Sequence, residues 1–332
     1  MVTTDDFKRA VDLINKSKNC LITSHTRPDG DACGSVKTLC ETVKGLGKKA
    51  QPLLLSPLAD WYDFLFEPAV PILGNDVTLE QLRDGSFGDF DLVIIVDTNS
   101  YVQLPEFDKW LKETHLPVLV IDHHITGDGL GTVELIDSTA AAAGEIVLDL
   151  IKYAKWEITE PIANAIFVAL STDTGWFRFE NADARVFRNA SILIEHGAAP
   201  SALYRKMYQN YSPARMKLLA RMLESIEFYD DNRIVIQHLM RSDFDATGAI
   251  GRDTEEFVNE CQRISSVQAV AFFVELADGN FRCSLRSDGS VDVQKIANKL
   301  GGGGHKVAAG LNIDGPLSAA EQTIISEFRK QM

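Results

Sequence analysis

The chain has 332 residues, enough for two domains at roughly 150 residues each. Its composition, 45% hydrophobic and 24% charged, excludes a disordered, collagen-like or disulfide-scaffold protein. With 33 basic against 47 acidic side chains the net charge is −14, which repels long nucleic acid unless a local basic cleft or bound cations intervene.

The opening segment MVTTDDFKRAVDL carries acids where a signal peptide carries basic residues, and no apolar stretch follows it. Pure apolar runs such as Leu92 to Val96 fall far short of the roughly 18 residues a membrane helix needs. A cytoplasmic protein without a membrane partner is therefore expected. Asn19 to Ser24 (NCLITS) predicts a first buried strand, followed by a glycine-containing turn and a helix from about Ala32 to Leu46. Asp91 to Val96 (DLVIIV) and Pro117 to Ile121 (PVLVI) predict two more strands, and helical patterns follow at about Ala140 to Tyr153 and Ile162 to Leu170. This alternation is that of an α/β domain with a mainly parallel sheet and helices on both faces, because strands apolar at every residue are covered on both sides.

Ser212 to Ile226 (SPARMKLLARMLESI) reads as a helix with Ser212 as N-cap and Pro213 in the first turn. After it the texture changes. Arg233 to Leu239, Val267 to Leu276 and Asn280 to Leu285 look like strands of a smaller α+β domain, and a helix from Val291 to Leu300 runs into Gly301-Gly302-Gly303-Gly304. The expected organisation is a catalytic domain over 1–190, a helical connector over 191–228 and a second domain over 229–332. Five cysteines, Cys20, Cys33, Cys40, Cys261 and Cys283, form an odd set with no C-x-x-C pair, as expected of reduced, buried thiols.

Ligand-type side chains recur where apolar elements end. The first segment, Ser24-His25-Thr26-Arg27-Pro28-Asp29-Gly30-Asp31-Ala32-Cys33-Gly34-Ser35, packs one imidazole and two carboxylates into seven residues. Asp97 ends the LVIIV strand, Asp122-His123-His124 ends PVLVI, and Asp173 lies in Ser171-Thr172-Asp173-Thr174-Gly175 after a helix. In an open α/β sheet, ligands bind just beyond the carboxyl ends of the strands. A lone aspartate there is usually a cap or turn residue, but four such segments holding three of the chain's seven histidines point to one site. Carboxylate and imidazole donors without thiolate favour Mn²⁺ or a similar divalent ion, with Mg²⁺ or Co²⁺ as other candidates.

SHTRPDGDACGS, VDTNS, IDHH and STDTG, in that order, resemble the four motifs of the DHH phosphoesterase superfamily. GGGGHKVAAG resembles the signature of the DHHA1 C-terminal domain. Within the superfamily the likeness is to the bacterial oligoribonuclease (nanoRNase) branch, which also removes phosphate from 3′-phosphoadenosine 5′-phosphate and is often labelled exopolyphosphatase-related. The resemblance implies one metal on His25, Asp29 and Asp97, and a second on Asp31, Asp97, His123 and Asp173, with Asp97 bridging. It implies hydrolysis by a hydroxide that bridges the two ions, with His124 contacting substrate phosphate or nucleophile and Asp122 orienting ligands. Cys33 departs from the aliphatic residue expected there and reads as a small buried side chain. Trp176 and Arg178 are left between flanking the cleft and packing.

Four consecutive glycines between an amphipathic helix and a small apolar segment read less as a linker than as backbone able to approach an anion, with left-handed conformations open to it, at Gly303 for instance. The resemblance adds that Arg286, which ends a predicted strand, and His305 bind the substrate's phosphates in a small cleft between domains. The partners implied are short oligonucleotides or phosphorylated nucleotides rather than long duplexes, and a homodimer is compatible with the sequence. Other readings weighed are a cyclic or linear dinucleotide phosphodiesterase, a pyrophosphatase or exopolyphosphatase, and a nucleotide-binding regulatory module on an inactive DHH scaffold.

Overall fold

A computed structural model describes residues 2–125 and 127–332 of the chain, which divides into two compact units, 1–210 and 211–332. The division falls inside the stretch 191–228 expected to be a helical connector. In the first unit the elements are α1 (Thr4–Lys16), β1 (Asn19–Ser24), α2 (Gly30–Gly45), β2 (Lys49–Pro52), α3 (Leu79–Arg83), β3 (Leu92–Val96), α4 (Phe107–Glu113), β4 (Val118–Asp122) and β5 (Val133–Ile136). Helices α5 (Ala143–Ala154), α6 (Glu160–Asp173), α7 (Ala184–Glu195) and α8 (Pro200–Tyr208) complete it.

Its five strands form a parallel sheet in the order β2-β1-β3-β4-β5. The three apolar runs are the central strands. On one face Ile22, Ile94, Val96, Leu119 and Ile121 pack against α2, α5 and α6, while on the other Leu21, Val93, Ile95 and Val120 meet Leu82 of α3 and Phe107 and Trp110 of α4. Helices thus cover both faces, as the alternating pattern requires. Each of these side chains contributes about 1.5–3 kcal/mol by leaving water.

The register sets up the site. Ser24 pairs with Val96, and Val96 with Ile121, so three strands end level and His25, Asp97 and Asp122 stand side by side. The order 2-1-3-4-5 also reverses between β1 and β3, which opens a crevice at their carboxyl ends. Helices α2 and α6 close in from one side because Gly30 and Gly34 present no side chain. A Cβ at Gly34 would lie 2.4 Å from the Ala165 carbonyl oxygen, and one at Gly30 would lie 2.3 Å from Thr172.

The second unit comprises α9 (Pro213–Glu224), β6 (Glu227–Tyr229), β7 (Ile234–Leu239), α10 (Arg241–Thr247), β8 (Ala269–Glu275), β9 (Phe281–Ser287), α11 (Val293–Lys299), β10 (Gly303–His305), β11 (Ala308–Ile313) and α12 (Leu317–Arg329). The Ser212 hydroxyl accepts from the Arg215 N–H at the start of α9, the expected cap. The strands form one sheet in the order β10-β11-β9-β8-β7-β6, parallel only between β7 and β8. Helices α11 and α12 pack on one face and α9 on the other. The glycine run is not a linker, since its second half is strand β10, paired with β11. All five cysteines are buried and unpaired.

Candidate metal centre

The strand ends bring six predicted ligands of the first unit together. His25 Nε2 lies 3.3 Å from Asp97 Oδ2 and 4.0 Å from Asp29 Oδ1. His123 Nε2 lies 3.4 Å from Asp97 Oδ1, 3.4 Å from Asp173 Oδ2 and 3.9 Å from Asp31 Oδ2. Three groups of donor atoms result, each within 4.8 Å: His25 with Asp29 and Asp97, Asp31 with His123 and Asp173, and Asp97 with His123 and His124. Asp97 therefore stands between two clusters.

Each ligand is aimed by its own neighbours. The Nδ1 atoms of His25 and His123 face the carbonyl oxygens of Thr26 (2.8 Å) and Ala140 (3.3 Å), which places a proton on Nδ1 and turns the Nε2 lone pair inward. Asp29 caps α2, its Oδ1 accepting from the N–H groups of Asp31 and Ala32. Asp31, fully buried, accepts from Ser35 Oγ and from the Ala143 and Gly144 N–H groups that open α5, where the helix dipole favours an anion. Asp97 sits in the left-handed region at φ 63°, and its N–H donates to the Ile121 carbonyl. Such strain in a non-glycine residue is kept where the surroundings fix it, as at functional sites.

The donor set fits divalent cations. Asp97 Oδ1 is buried without a hydrogen-bond partner, an open valence that a cation satisfies. The electrostatics agree. In the metal-free protein, burial and then the charge of Asp97 push Asp31 up to about 8, while burial and the neighbouring acids push Asp173 up to about 9. Burial opposes charging of the two histidines, yet their contacts with Asp97 outweigh it and raise His25 to about 9 and His123 to about 10. Asp97 runs the other way: burial would raise it, but its close contacts with the His123 and His25 imidazoles hold it below the usual carboxylate range. The pocket thus holds protons wherever it lacks cations.

Asp122 and His124 stand apart from this cluster in role. His124 Nδ1 lies 2.7 Å from Asp122 Oδ1, which also accepts from the His123 and His124 N–H groups. The His124 side chain is 57% exposed, while Asp122, fully buried, fixes the ring through Nδ1. Cys33 is buried in the core, as a small side chain should be. Trp176 packs against Phe167, Tyr204 and Tyr208, and Arg178 Nε donates to the Gly175 carbonyl. Asp173 is the last residue of α6 rather than part of a following loop.

Missed from the sequence were the groups that aim the ligands: Ser35, the Ala140 carbonyl, and the Ala143 and Gly144 amides. Glycine spacing was the available signal. Gly30 and Gly34 are one turn apart on α2, and a Cβ at Gly144 would sit 2.5 Å from Ala169 and 3.3 Å from Asp31 Oδ1.

In the second unit, Ala308 of β11 pairs with Arg286 of β9 on one side and with His305 of β10 on the other, so the three side chains share one sheet face. Asn259 Oδ1 accepts from Arg286 Nε at 3.1 Å. Within the glycine run Gly301 and Gly304 take positive φ, of 83° and 143°. Gly303 does not, correcting the expectation for that position: a Cβ there would meet only Asn298 Oδ1, at 3.8 Å.

Residues 19–171 match the model of the DHH family N-terminal domain, and residues 232–332 match the DHHA1 domain. A bifunctional oligoribonuclease and PAP phosphatase NrnA from Thermus thermophilus is 31% identical over 315 residues, covering 94% of this chain and 89% of that protein. The protein of the same name from Bacillus subtilis is 25% identical over 292 residues, 87% of each chain. The crystal structure of an exopolyphosphatase-related protein from Bacteroides fragilis has the same fold, with a TM-score of 0.89 at 23% identity over 99% of this chain and 97% of that one. Fold and site together define a metal-dependent hydrolase of phosphate esters. The chain belongs to the DHH phosphoesterase family and carries the DHHA1 domain in its second unit.

Proposed function

We propose that this phosphoesterase hydrolyses short oligoribonucleotides and removes phosphate from 3′-phosphoadenosine 5′-phosphate, using two divalent cations, Mn²⁺ in the cell. The observation that carries the two-ion reading is Asp97, whose two oxygens face different imidazoles at 3.3 and 3.4 Å. His25, Asp29 and Asp97 would hold one ion, and Asp31, His123 and Asp173, with Asp97 shared, the other. Two bound ions supply a water of lowered pKa and offset charge on the phosphate oxygens. Oxygen and nitrogen donors without thiolate support Mn²⁺ over structural zinc.

The chain's own residues do the rest. His124, tethered through Nδ1 to Asp122, would contact the phosphate or the nucleophile. Four carboxylates against two divalent ions leave no surplus positive charge for substrate. Arg286 and His305, on one face of the second sheet, supply it, and the Gly301–Gly304 backbone lets anionic oxygens approach N–H groups closely. A net charge of −14 supports small nucleotides over long duplexes. Among the described residues no helix is long and apolar enough to cross a membrane, and we place the activity in the cytoplasm. The NrnA names of the relatives support the substrate pair.

The test is a panel with Mn²⁺: a diribonucleotide, 3′-phosphoadenosine 5′-phosphate, a cyclic dinucleotide and pyrophosphate. Turnover of the first two well above the others is expected. A preference for the cyclic dinucleotide or pyrophosphate removes the substrate assignment and leaves the phosphoesterase chemistry standing.

A further inference from the structure

A polar cluster built on the buried carboxylates of Glu145 and Asp137 lies beside the candidate metal centre and takes no part in the chemistry above. Glu145, in the first turn of α5, is 1% exposed. Its Oε2 accepts from the Ala141 N–H at 3.1 Å and its Oε1 from Asn189 Nδ2 at 2.7 Å. Arg185 of α7 reaches three acids at once: Nε is 3.5 Å from Glu145, one terminal nitrogen is 3.3 Å from Asp137, and the other is 2.6 Å from Asp149. Asp137 follows β5, and its Oδ1 accepts from both the N–H and the hydroxyl of Thr139. Arg185 and Glu145 therefore pin both ends of the segment from Asp137 to Glu145.

That short segment touches two ligands of one cluster directly and the third through Asn181. The Ala140 carbonyl faces His123 Nδ1. The Ala143 and Gly144 N–H groups donate to the two oxygens of Asp31. Asn181 Nδ2 donates to the carbonyls of Ala141 and Asp173, tying the end of α6 to the same turn. The other cluster is aimed differently. Asp29 is held by the start of α2, His25 by Thr26 and Asp97 by Ile121, all outside the segment.

We propose that Arg185 and Glu145 are positioning residues for one of the two metal subsites: by clamping the 137–145 segment they pre-form the Asp31–His123–Asp173 ligand group and leave the His25–Asp29–Asp97 group untouched. The inference rests on the two-ion reading of the site. Its physical basis is that metal ligands bind well only when their orientation is fixed before the ion arrives, and groups behind the ligands set that orientation. Removing the guanidinium leaves Glu145 buried without its counter-charge, and the Ala141 contact that shapes the turn loosens with it.

The experiment is Mn²⁺ titration of the full-length protein by calorimetry, with melting temperature as a control. Wild type is expected to show two sites. Arg185→Ala should weaken one of them by about 10- to 100-fold and leave the other unchanged, the usual cost of losing a ligand's supporting partner. Arg185→Lys should recover part of the loss through its single charge. Asn181→Ala, at an exposed position, should weaken the same site less, which keeps the idea testable if Arg185→Ala misfolds. Backgrounds identify the site. In Asp173→Asn the Arg185→Ala change should have no further effect on the remaining ion, whereas in Asp29→Asn it should weaken the ion that remains. Equal weakening of both sites, or a fall in melting temperature with unchanged affinities in Arg185→Ala and Asn181→Ala, overturns the proposal alone. Fewer than two sites in wild type overturns the two-ion reading and this proposal with it.

Discussion

In the first unit the chemistry stands one residue beyond three strands that are buried on both faces. In the second the proposed phosphate contacts, Arg286 and His305, share one sheet face beside the edge strand Gly303 to His305, which is exposed at each residue. The first region crowds Asp31, Asp97, His25 and His123 into a volume where Asp97 is 2% and Asp31 0% exposed. Nothing but cations or protons makes that arrangement tolerable, because unpaired buried charges cost several kcal/mol each, on the order of 3–5 when a partner is lost. The second region crowds no like charges, since Arg286 is half-buried with Asn259 as hydrogen-bond partner and His305 is exposed. Chemistry and binding are therefore separable by mutation, and the two regions should fail in different ways.

The largest effect belongs to Asp97→Asn. It removes the carboxylate both clusters share, so hydrolysis should fall by roughly a thousandfold or more, with loss of both ions in a metal assay. Near-native turnover by a metal-checked variant would break the assignment. The metal-free protein should not gain stability from this change, because the two histidines hold Asp97 as a favourable anion. Any such gain belongs to the acids the pocket keeps protonated, Asp31 and Asp173.

Arg286→Ala comes next. Losing one charge-assisted contact costs about 1.5–3 kcal/mol, which is on the order of ten- to a hundredfold in KM for nucleotide substrates. Metal affinity and melting temperature should be unchanged. Steady-state kinetics beside a metal titration check this, and an unchanged KM in both Arg286→Ala and His305→Ala would take the second unit out of substrate binding.

The pH dependence sharpens the contrast, because it draws on the clustered acids and imidazoles of the first region. Asp31 and Asp173 have folded values near 8 and 9 against an ordinary 3.8, so the folded state binds more protons between those limits. His25 and His123 add the same sign between 6.5 and their folded values of about 9 and about 10. All four contributions are present at low pH and are lost as pH rises through the folded values. Metal-free protein should therefore melt at progressively lower temperature as pH climbs from about 6 to about 9, and divalent ions should restore more stability at the upper end. Calorimetry in buffers of different ionisation enthalpy should show protons released on metal binding. In Asp173→Asn the slope should flatten. A metal-free melting temperature that rises across this window would contradict the assignment of protons to the pocket.

How much of this was legible in the sequence depended on burial. Central strands β1, β3 and β4 announce themselves because both faces are covered and every residue is apolar. The edge strands do not: β2 reads Lys-Ala-Gln-Pro and β5 carries Glu134 between Val133 and Leu135, so neither forms a run. The six candidate ligands were legible because carboxylates and imidazoles recur together where four apolar elements end, a coincidence that single caps or turns do not produce. What aims them was not, since the Ala140 carbonyl and the α5 amides are backbone atoms whose position comes from folding. Ser35, quoted only as the end of the first motif, and Glu145 gain their contacts once α2, α5 and α6 are brought together through Gly30, Gly34 and Gly144.

The smallest effect separates two neighbouring glycines in the second unit. Gly304 sits at φ 143°, and a Cβ there would lie 2.5 Å from Ala309 Cα across the β10–β11 ladder. Gly304→Ala must shift the edge strand, so it should destabilise the unit by upwards of about 1 kcal/mol and displace His305 with it. Gly303 has ordinary φ, and its added Cβ would face open space save for Asn298 at 3.8 Å. Gly303→Ala should leave the melting temperature unchanged, or raise it slightly by restricting the unfolded chain. If the glycine backbone receives substrate phosphate, Gly303→Ala should still raise KM several-fold, because a methyl group would stand where an anion approaches. Equal KM and equal stability for wild type and Gly303→Ala would confine the role of the run to the tight pairing at Gly302 and Gly304.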